Sequence, residues 1–356
     1  MLLSIIIPHY NDRDSLKSCL DSLLKINYYN TKTEIIVVDD GSKIDLTKII
    51  NKYILNKFFK IKFLKLKKNF GPGIARNRGL QAATGKYIIF LDCDDRLKPN
   101  TIIVLKKYFK KKPDIVFYNW DLKLGTKLFK RQRKDSKFLK YKKKKLIKKF
   151  IYMEFNNSVI FSAYRRNLFF KNKIFFKKGI HEDILIIFKI LFFSKKIINL
   201  NDALYIKINK KNSVSRNFSK NHIFFYLLSW KHIKKFLLKK YKRIYFEKNF
   251  ENEFISGLSG IIAILVLKNF FWVKQNKNRY FFYKLILHFV RKMHHQYINK
   301  LSGLNKTSYD YITNSFLNKF FNNNKTYLLK DFLEWENLNL EKLRIYKKKF
   351  LTIIRY

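Results

Sequence analysis

The stretch Lys86-Tyr87-Ile88-Ile89-Phe90-Leu91-Asp92-Cys93-Asp94-Asp95 changes abruptly from apolar to acidic. Its apolar part has the length of one buried strand, and three carboxylates follow within four positions. Like charges this close raise one another's pKa, so an uncompensated cluster at a strand end is unfavourable. A divalent cation relieves the repulsion, because hard cations prefer carboxylate oxygens. We therefore expect Asp92 and Asp94 to hold a metal ion, with a solvated acidic turn as the alternative.

Two earlier segments repeat this pattern. Leu3–Ile7 is apolar and leads into the polar and aromatic Pro8–Asp12, and the predicted strand Glu34–Val38, apolar from Ile35 onward, leads into Asp39–Ser42. Segments with helical spacing separate these predicted strands, among them a helix ending at Leu24, Asp45–Phe59 and Ile74–Ala83. Alternating strands and helices predict a parallel sheet, whose ligands bind outside the carboxyl ends of the strands. All three polar clusters should therefore meet at one edge.

The composition is that of a folded protein with a large excess of positive charge. The chain has 356 residues, of which 47% are hydrophobic and 17% aromatic, and its net charge is +52. These values exclude a disordered protein. Two explanations of the many lysines stay open. One is an AT-rich coding background, and the other is attraction to anionic lipid, nucleic acid or phosphorylated substrates. Two cysteines and no evident secretory signal predict a cytoplasmic protein, for which the inner face of the membrane is a compatible location.

Four motifs resemble the successive signatures of family 2 glycosyltransferases. They are Ser-Ile-Ile-Ile-Pro-His-Tyr-Asn from Ser4, Glu-Ile-Ile-Val-Val-Asp-Asp-Gly-Ser from Glu34, Asn-Phe-Gly-Pro-Gly-Ile-Ala-Arg-Asn-Arg-Gly from Asn69, and the opening stretch. The resemblance implies an inverting enzyme with an α/β, Rossmann-like GT-A fold, that is, a mostly parallel sheet flanked by helices. We expect residues 1–220 to form this catalytic domain and residues 221–356 a mainly α-helical, basic and aromatic region. The Gly-x-Gly-x-x-Gly of Rossmann dehydrogenases is missing after the first strand.

The resemblance also implies a nucleotide-sugar donor, expected to be UDP-linked, and assigns residues to it. Pro8 and Tyr10 would line the pocket for the base, and Asp40 would accept a hydrogen bond from uracil, with Asp39 beside it. Arg76 would lie near the diphosphate, since its planar fork suits phosphate oxygens.

The acids of the opening stretch would complete the donor site. Asp94 would be the main ligand of a divalent metal, Mn²⁺ or Mg²⁺, and Asp92 would contact the ribose or the metal. Asp95 would orient its neighbours or cap the next helix. Packing or a solvated helix face remains the alternative for Tyr10 and Arg76.

Glu182-Asp183 resembles the acidic pair that lies near the acceptor in this family. Asp183 would then be the general base, because the acceptor hydroxyl must lose its proton as it attacks the sugar. Acids in the first turn of a helix are the alternative explanation. The expected acceptor is a glycan or lipid-linked glycan in the synthesis of a surface polysaccharide, capsule or lipooligosaccharide.

Three further segments carry weaker signals. Residues 123–149 are dominated by Lys and Arg and predict either a solvated insertion or a membrane-facing surface. Residues 205–207 and 212–216 resemble a loop that closes over the donor diphosphate. Residues 254–273 form the longest apolar interval, which we assign to a buried or interfacial helix because both of its flanks are basic.

A nucleic-acid-binding protein and a non-catalytic member of the fold are the competing functions, and we do not expect nucleic acid as a partner.

Overall fold

A computed structural model describes residues 1–28, 31–54, 59–131, 138–139, 143–151, 158–179, 181–209 and 220–240, together with 267, 270–271, 279–285, 333–334 and 337–354. The chain divides into two compact units. The first comprises residues 1–146 and 156–217, and the second comprises residues 147–155 and 218–356.

The first unit contains a mixed sheet. Its strands are β1 (Leu3–His9), β2 (Thr33–Asp39), β3 (Phe59–Lys65), β4 (Tyr87–Phe90), β5 (Arg96–Leu97), β6 (Ile115–Leu124), β7 (Lys127–Arg131), β8 (Phe138–Leu139), β9 (Ser162–Arg165) and β10 (Ile197–Ile208). The strand order is β3-β2-β1-β4-β9-β6-β10-β5, while β7 pairs with β6 and β8 with β10.

The strands that carry the sequence motifs run parallel. β1 lies between β2 and β4 and is parallel to both, and β2 is parallel to β3. Every residue of β1 and β2 is buried, as expected of strands that are covered on both faces. β9 pairs antiparallel with both β4 and β6, whereas β6 and β10 are parallel to each other. The expectation of a mostly parallel sheet flanked by helices is confirmed.

The described part of the chain up to residue 209 contains seven α-helices: α1 (Arg13–Leu24), α2 (Thr47–Ile54), α3 (Pro72–Ala82), α4 (Thr101–Phe109), α5 (Lys143–Ile151), α6 (Arg166–Lys171) and α7 (Glu182–Phe193). Helix α3 packs closely on β1 at Gly79, where a side chain would not fit: an added Cβ atom would lie 2.4 Å from Ile6 Cγ2. The later part of the chain is helical where it is described, with α8 (Lys220–Lys240) and α9 (Leu340–Ile354).

Phe59 differs from its expected state. We expected it to end a helix that begins at Asp45, but α2 ends at Ile54 and Phe59 opens β3. It pairs in register with Thr33, and its ring lies 5.6 Å from that of Tyr28. Pairing with β2 and burial of the ring therefore override the local helical pattern.

The Lys-rich and apolar segments are described only in part. The basic tract begins in an antiparallel hairpin, with Leu122 opposite Phe129, and it ends in α5. Most of residues 254–273, and all of residues 212–216, lie outside the described residues. Among the helices that are described, none is long and apolar enough to cross a membrane.

Glu34 is a buried carboxylate in β2, away from the acidic strand ends. Its Oε1 accepts hydrogen bonds from Ser4 Oγ at 2.6 Å and from the Thr84 N–H at 2.6 Å, and Lys62 Nζ lies 2.7 Å from its Oε2. Burial by itself would raise the pKa of Glu34, but the hydrogen bonds from Lys62, Ser4 and Thr84 outweigh it and lower this pKa to about 2. The charged carboxylate therefore links β2 to β1, to β3 and to the turn that precedes β4.

We expect Glu34→Ala to lower the free energy of unfolding by about 3 kcal/mol, because it leaves buried donors without an acceptor. Since the pKa is lowered by folding, this contribution is complete above the ordinary value of 4.5 and is lost as the pH falls from there to about 2. Urea denaturation at several pH values measures both effects. Lys17→Gln, which breaks an exposed pair with Asp21, is the control and should cost less than about 1 kcal/mol. Equal losses in the two variants would contradict the assignment.

Candidate active site

The acidic turn after β4 gathers three carboxylates. Oxygens of Asp92, Asp94 and Asp95 lie within 4.8 Å of one another. The turn is closed by a hydrogen bond from the Asp95 N–H to the Asp92 carbonyl at 3.0 Å. Asp95 is buried, while Asp92 and Asp94 are half-exposed. The cluster predicted from the sequence is therefore compact enough to surround one cation.

The three acids do not have the same environment. Both carboxylate oxygens of Asp95 accept hydrogen bonds from β10, one from Tyr205 Oη and one from the Ile208 N–H, each at 2.7 Å. Burial raises the pKa of Asp95 to about 7; Lys207, whose Nζ lies 3.9 Å away, lowers it, and Asp92 and Asp94 raise it. Asp95 thus anchors the turn to β10, and its oxygens are less available to a cation than those of its neighbours.

The carboxylates of Asp92 and Asp94 suit a hard divalent cation. Asp92 and Asp94 supply half-exposed carboxylates at the carboxyl end of β4, and Mg²⁺ and Mn²⁺ prefer such oxygen ligands, with water or phosphate oxygens completing the coordination. The donor set fits the expected metal, which Asp92 and Asp94 would hold.

The ends of β1 and β2 carry the residues expected at the nucleotide base. Pro8 is buried in β1, and Tyr10, just beyond the strand, is 44% exposed. Asp40 is buried, and its carboxylate accepts hydrogen bonds from the N–H groups of Phe70 at 2.9 Å and Gly71 at 2.7 Å. Burial raises the pKa of Asp40 although these two hydrogen bonds lower it. Asp40 therefore holds the loop that leads into α3.

Asp39 belongs to a second buried group. Its Oδ1 accepts the Ser42 N–H at 3.1 Å and lies 3.5 Å from His9 Nδ1. Because the Asp12 N–H donates to His9 Nε2 at 3.2 Å, the ring proton of His9 is on Nδ1 and faces Asp39. Within the described residues, the other oxygen of Asp39 is buried without a hydrogen-bond partner.

Arg76 connects the acidic turn to α7. Its Nη2 donates to Asp92 Oδ1 at 2.8 Å and its Nη1 to Glu182 Oε1 at 2.6 Å. The guanidinium is buried, which by itself would lower the pKa of Arg76, but Asp92, Glu182 and Asp183 outweigh burial and raise it. The position of Arg76 beside a diphosphate stays a prediction.

Asp183 is the second residue of α7 and is half-buried. Burial and the neighbouring Glu182 raise the pKa of Asp183 to about 7, while Arg76 opposes the shift. A carboxylate with such a pKa can accept a proton at neutral pH and release it again. The fold thus brings Asp183 near Arg76, although more than one hundred residues separate them in the sequence.

Known proteins resemble this chain in sequence and in fold. The family model described as "Glycosyl transferase family 2" matches residues 4–171. Residues 4–171 thus match the family 2 glycosyltransferase domain. The region matched by this family model includes the ends of β1, β2 and β4 but stops before Glu182 and β10.

Relatives of the family 2 domain are bacterial glycosyltransferases. The chain is 38% identical over 97 residues to the uncharacterized glycosyltransferase YibD of Escherichia coli, and these residues are 27% of each protein. It is 28% identical over 225 residues to glycosyltransferase GlyG of Streptococcus pneumoniae, covering 60% of this chain and 73% of GlyG.

A solved structure shares the fold. Residues 1–349 of S. aureus TarS, crystallised with UDP-GlcNAc, match with a TM-score of 0.65 and 20% identity, covering 90% of this chain and 89% of that one. TarS is described as a poly(ribitol-phosphate) beta-N-acetylglucosaminyltransferase. The likeness confirms the expected GT-A fold.

Sequence reasoning missed Tyr205 as a constituent of the site. Its hydroxyl donates to Asp95 and accepts the Asp92 N–H at 3.3 Å, so it supports both ends of the acidic turn. The only signal was its place beside Lys207 in a segment that resembles a loop over the donor. Sequence reasoning also did not anticipate that Glu182 would pair with Arg76.

Proposed function

We propose that this protein is an inverting glycosyltransferase that moves a sugar from a UDP-linked donor to a hydroxyl of a glycan or lipid-linked glycan. The observation that carries the proposal is that Arg76 bridges two acidic segments of the chain. On one side Asp92 belongs to the acidic turn, and on the other Glu182 precedes Asp183, whose pKa is about 7. Arg76 therefore links the proposed donor acids to the helix turn that carries the proposed base, within the first unit.

Asp183 would act as the base in a single displacement. The acceptor oxygen attacks C1 of the donor sugar, the bond from C1 to the diphosphate oxygen breaks with its electron pair, and the hydroxyl proton passes to the Asp183 carboxylate. Attack from the side opposite the leaving group inverts the configuration at C1. A divalent ion held by Asp92 and Asp94 would supply charge stabilisation for the departing diphosphate.

The donor and acceptor classes follow from the residues and the relatives. Pro8 and Tyr10, with Asp39 and Asp40 at the ends of the adjacent strands, would receive the nucleotide base. Crystallisation of TarS with UDP-GlcNAc supports a UDP-sugar as the donor. The description of TarS as an enzyme acting on poly(ribitol-phosphate) supports a surface polymer as the acceptor.

The basic remainder of the chain would bring the enzyme to its acceptor. We assign residues 221–356 to binding the acceptor or the anionic inner face of the cytoplasmic membrane, because this region is rich in lysine and arginine and the whole chain has a net charge of +52, which favours such a surface. Sedimentation with vesicles of anionic lipid, but not with neutral ones, tests this assignment.

A donor screen tests the proposal as a whole. UDP release from a panel of UDP-sugars is measured with Mn²⁺ or Mg²⁺, with and without a chelator. We expect release from at least one donor, and we expect the chelator to suppress it. Absence of release from every nucleotide-sugar, combined with salt-sensitive binding to oligonucleotides, would refute the proposal.

A further inference from the structure

Three residues of α3 lie on one face of the helix and contact the segment that leads into α7. Gly73, Arg76 and Asn77 are spaced i, i+3 and i+4, so they are neighbours on the helix surface. Each contacts this segment or its continuation into α7, between Phe176 and Glu182. The face formed by these three residues is called the α3 clamp below.

The two outer members of the clamp set the distance between the elements. The side-chain amide of Asn77 donates to the Phe176 carbonyl at 2.8 Å and accepts the Phe176 N–H at 2.8 Å. A Cβ atom on Gly73 would lie 2.7 Å from Glu182 Cγ, so a larger residue would displace Glu182. The contact therefore has one favoured geometry.

Arg76 extends this contact to the acidic turn. Its two terminal nitrogens bond different carboxylates, Asp92 and Glu182, and its guanidinium carbon lies 5.7 Å from the centre of the Phe176 ring. Only 8% of its side chain and 8% of that of Glu182 are exposed. A planar fork can join two carboxylates in fixed directions, which a lysine ammonium does not do.

We propose that Arg76 and Glu182 are positioning residues that fix the distance between the acidic turn and Asp183. This inference rests on the proposed function of the site, and it assigns to Arg76 a role other than binding the diphosphate. Displacement requires the acceptor oxygen, C1 and the leaving oxygen in line, and a misplacement of about 1 Å costs on the order of 100-fold in rate. The α3 clamp keeps Asp183, on α7, at a fixed distance from the acidic turn.

Two conservative variants separate this role from diphosphate binding. Arg76→Lys keeps the charge but loses the fork, and Glu182→Gln keeps the shape but loses the charge. We expect each to lower kcat by about 10- to 100-fold while the donor KM, and the Kd for UDP with Mn²⁺ measured by calorimetry, change less than about 3-fold. The double variant should lose little more than the worse single variant, because both changes break one pair.

Lys62→Gln is the matched control. It breaks another ion pair of a buried carboxylate, with Glu34, outside the candidate site, and it should leave kcat unchanged. If Arg76 is instead a diphosphate ligand, Arg76→Lys will raise the Kd for UDP as much as it lowers kcat, and Glu182→Gln will have little effect on either. That result would overturn the inference.

Amide hydrogen exchange tests the clamp without turnover. We expect exchange in α7 to be at least about 10-fold faster in Arg76→Lys and Glu182→Gln than in Lys62→Gln. If exchange in α7 is faster in the two variants but the wild-type protein turns over no donor, the proposed function is refuted and the clamp is retained as a structural link. If exchange and kcat are both unchanged in the two variants, the clamp is refuted. Turnover of a donor by the wild-type protein would in that case still uphold the proposed function.

Discussion

Asp183→Asn is expected to lower the rate of transfer by about 100- to 10,000-fold, the usual contribution of a positioned general base. The asparagine side chain has nearly the same shape, so the contacts of α7 should persist, and Arg76 keeps its hydrogen bonds to Asp92 and Glu182. The Kd for UDP with Mn²⁺, measured by calorimetry, should therefore change less than about 3-fold. Transfer is followed as UDP release in the presence of acceptor.

The pH dependence gives the same prediction a second measurement. Burial and Glu182 raise the pKa of Asp183 to about 7, and only the ionised carboxylate can accept a proton. The rate of transfer by the wild-type protein should rise as the pH increases towards about 7 and level off above it. The residual activity of Asp183→Asn should lack this rise.

Asp202→Asn is the control for Asp183, because Asp202 is an exposed residue of β10. It should leave both the rate and its pH dependence unchanged. Persistence of transfer in Asp183→Asn within about 10-fold of the wild-type rate would show that another group takes the proton.

Asp94→Ala should have the second largest effect, through the donor site rather than the base. Asp94 offers a half-exposed carboxylate to a cation, whereas Asp95 is committed to Tyr205 and Ile208. A bound divalent ion supplies several kcal/mol of charge stabilisation, so we expect kcat/KM to fall by at least about 100-fold. Mn²⁺ should no longer strengthen UDP binding, which calorimetry with and without the metal measures directly.

Lys17→Gln again serves as a control, since its exposed pair with Asp21 should have no effect on UDP binding. The stability of Asp94→Ala, followed by thermal unfolding, should remain close to that of the wild-type protein because Asp94 is not buried. If Mn²⁺ strengthens UDP binding equally in Asp94→Ala and in the wild-type protein, Asp94 is not a metal ligand.

The two variants separate the halves of the site. Loss of donor binding is expected for Asp94→Ala alone, and loss of transfer with intact donor binding for Asp183→Asn alone. An equal loss of both properties in both variants would instead indicate a general disturbance of the fold. The clamp variants should resemble Asp183→Asn in keeping donor affinity but have a smaller effect on the rate.

The sequence was sufficient to predict the sheet and the placement of its acids. Buried apolar runs of strand length, each followed by polar residues, give β1, β2 and β4, and the parallel pairing of these strands brings Asp39, Asp40 and Asp92 to one edge. Phe59 was misassigned because the local pattern continued the helix, whereas its burial depends on β2 and on Tyr28.

The amino-acid sequence by itself determined the GT-A architecture, the acidic turn and the candidate base, because each is written in a short local pattern. Only the tertiary structure decided which side chains and backbone groups each acid contacts. Arg76 and Glu182 are 106 positions apart, and Asp95 and Ile208 are 113 apart, so no local pattern encodes either contact. The physical reason is that a buried charge must find its partner, and the folded chain alone places Arg76 between two carboxylates and Asp95 against β10.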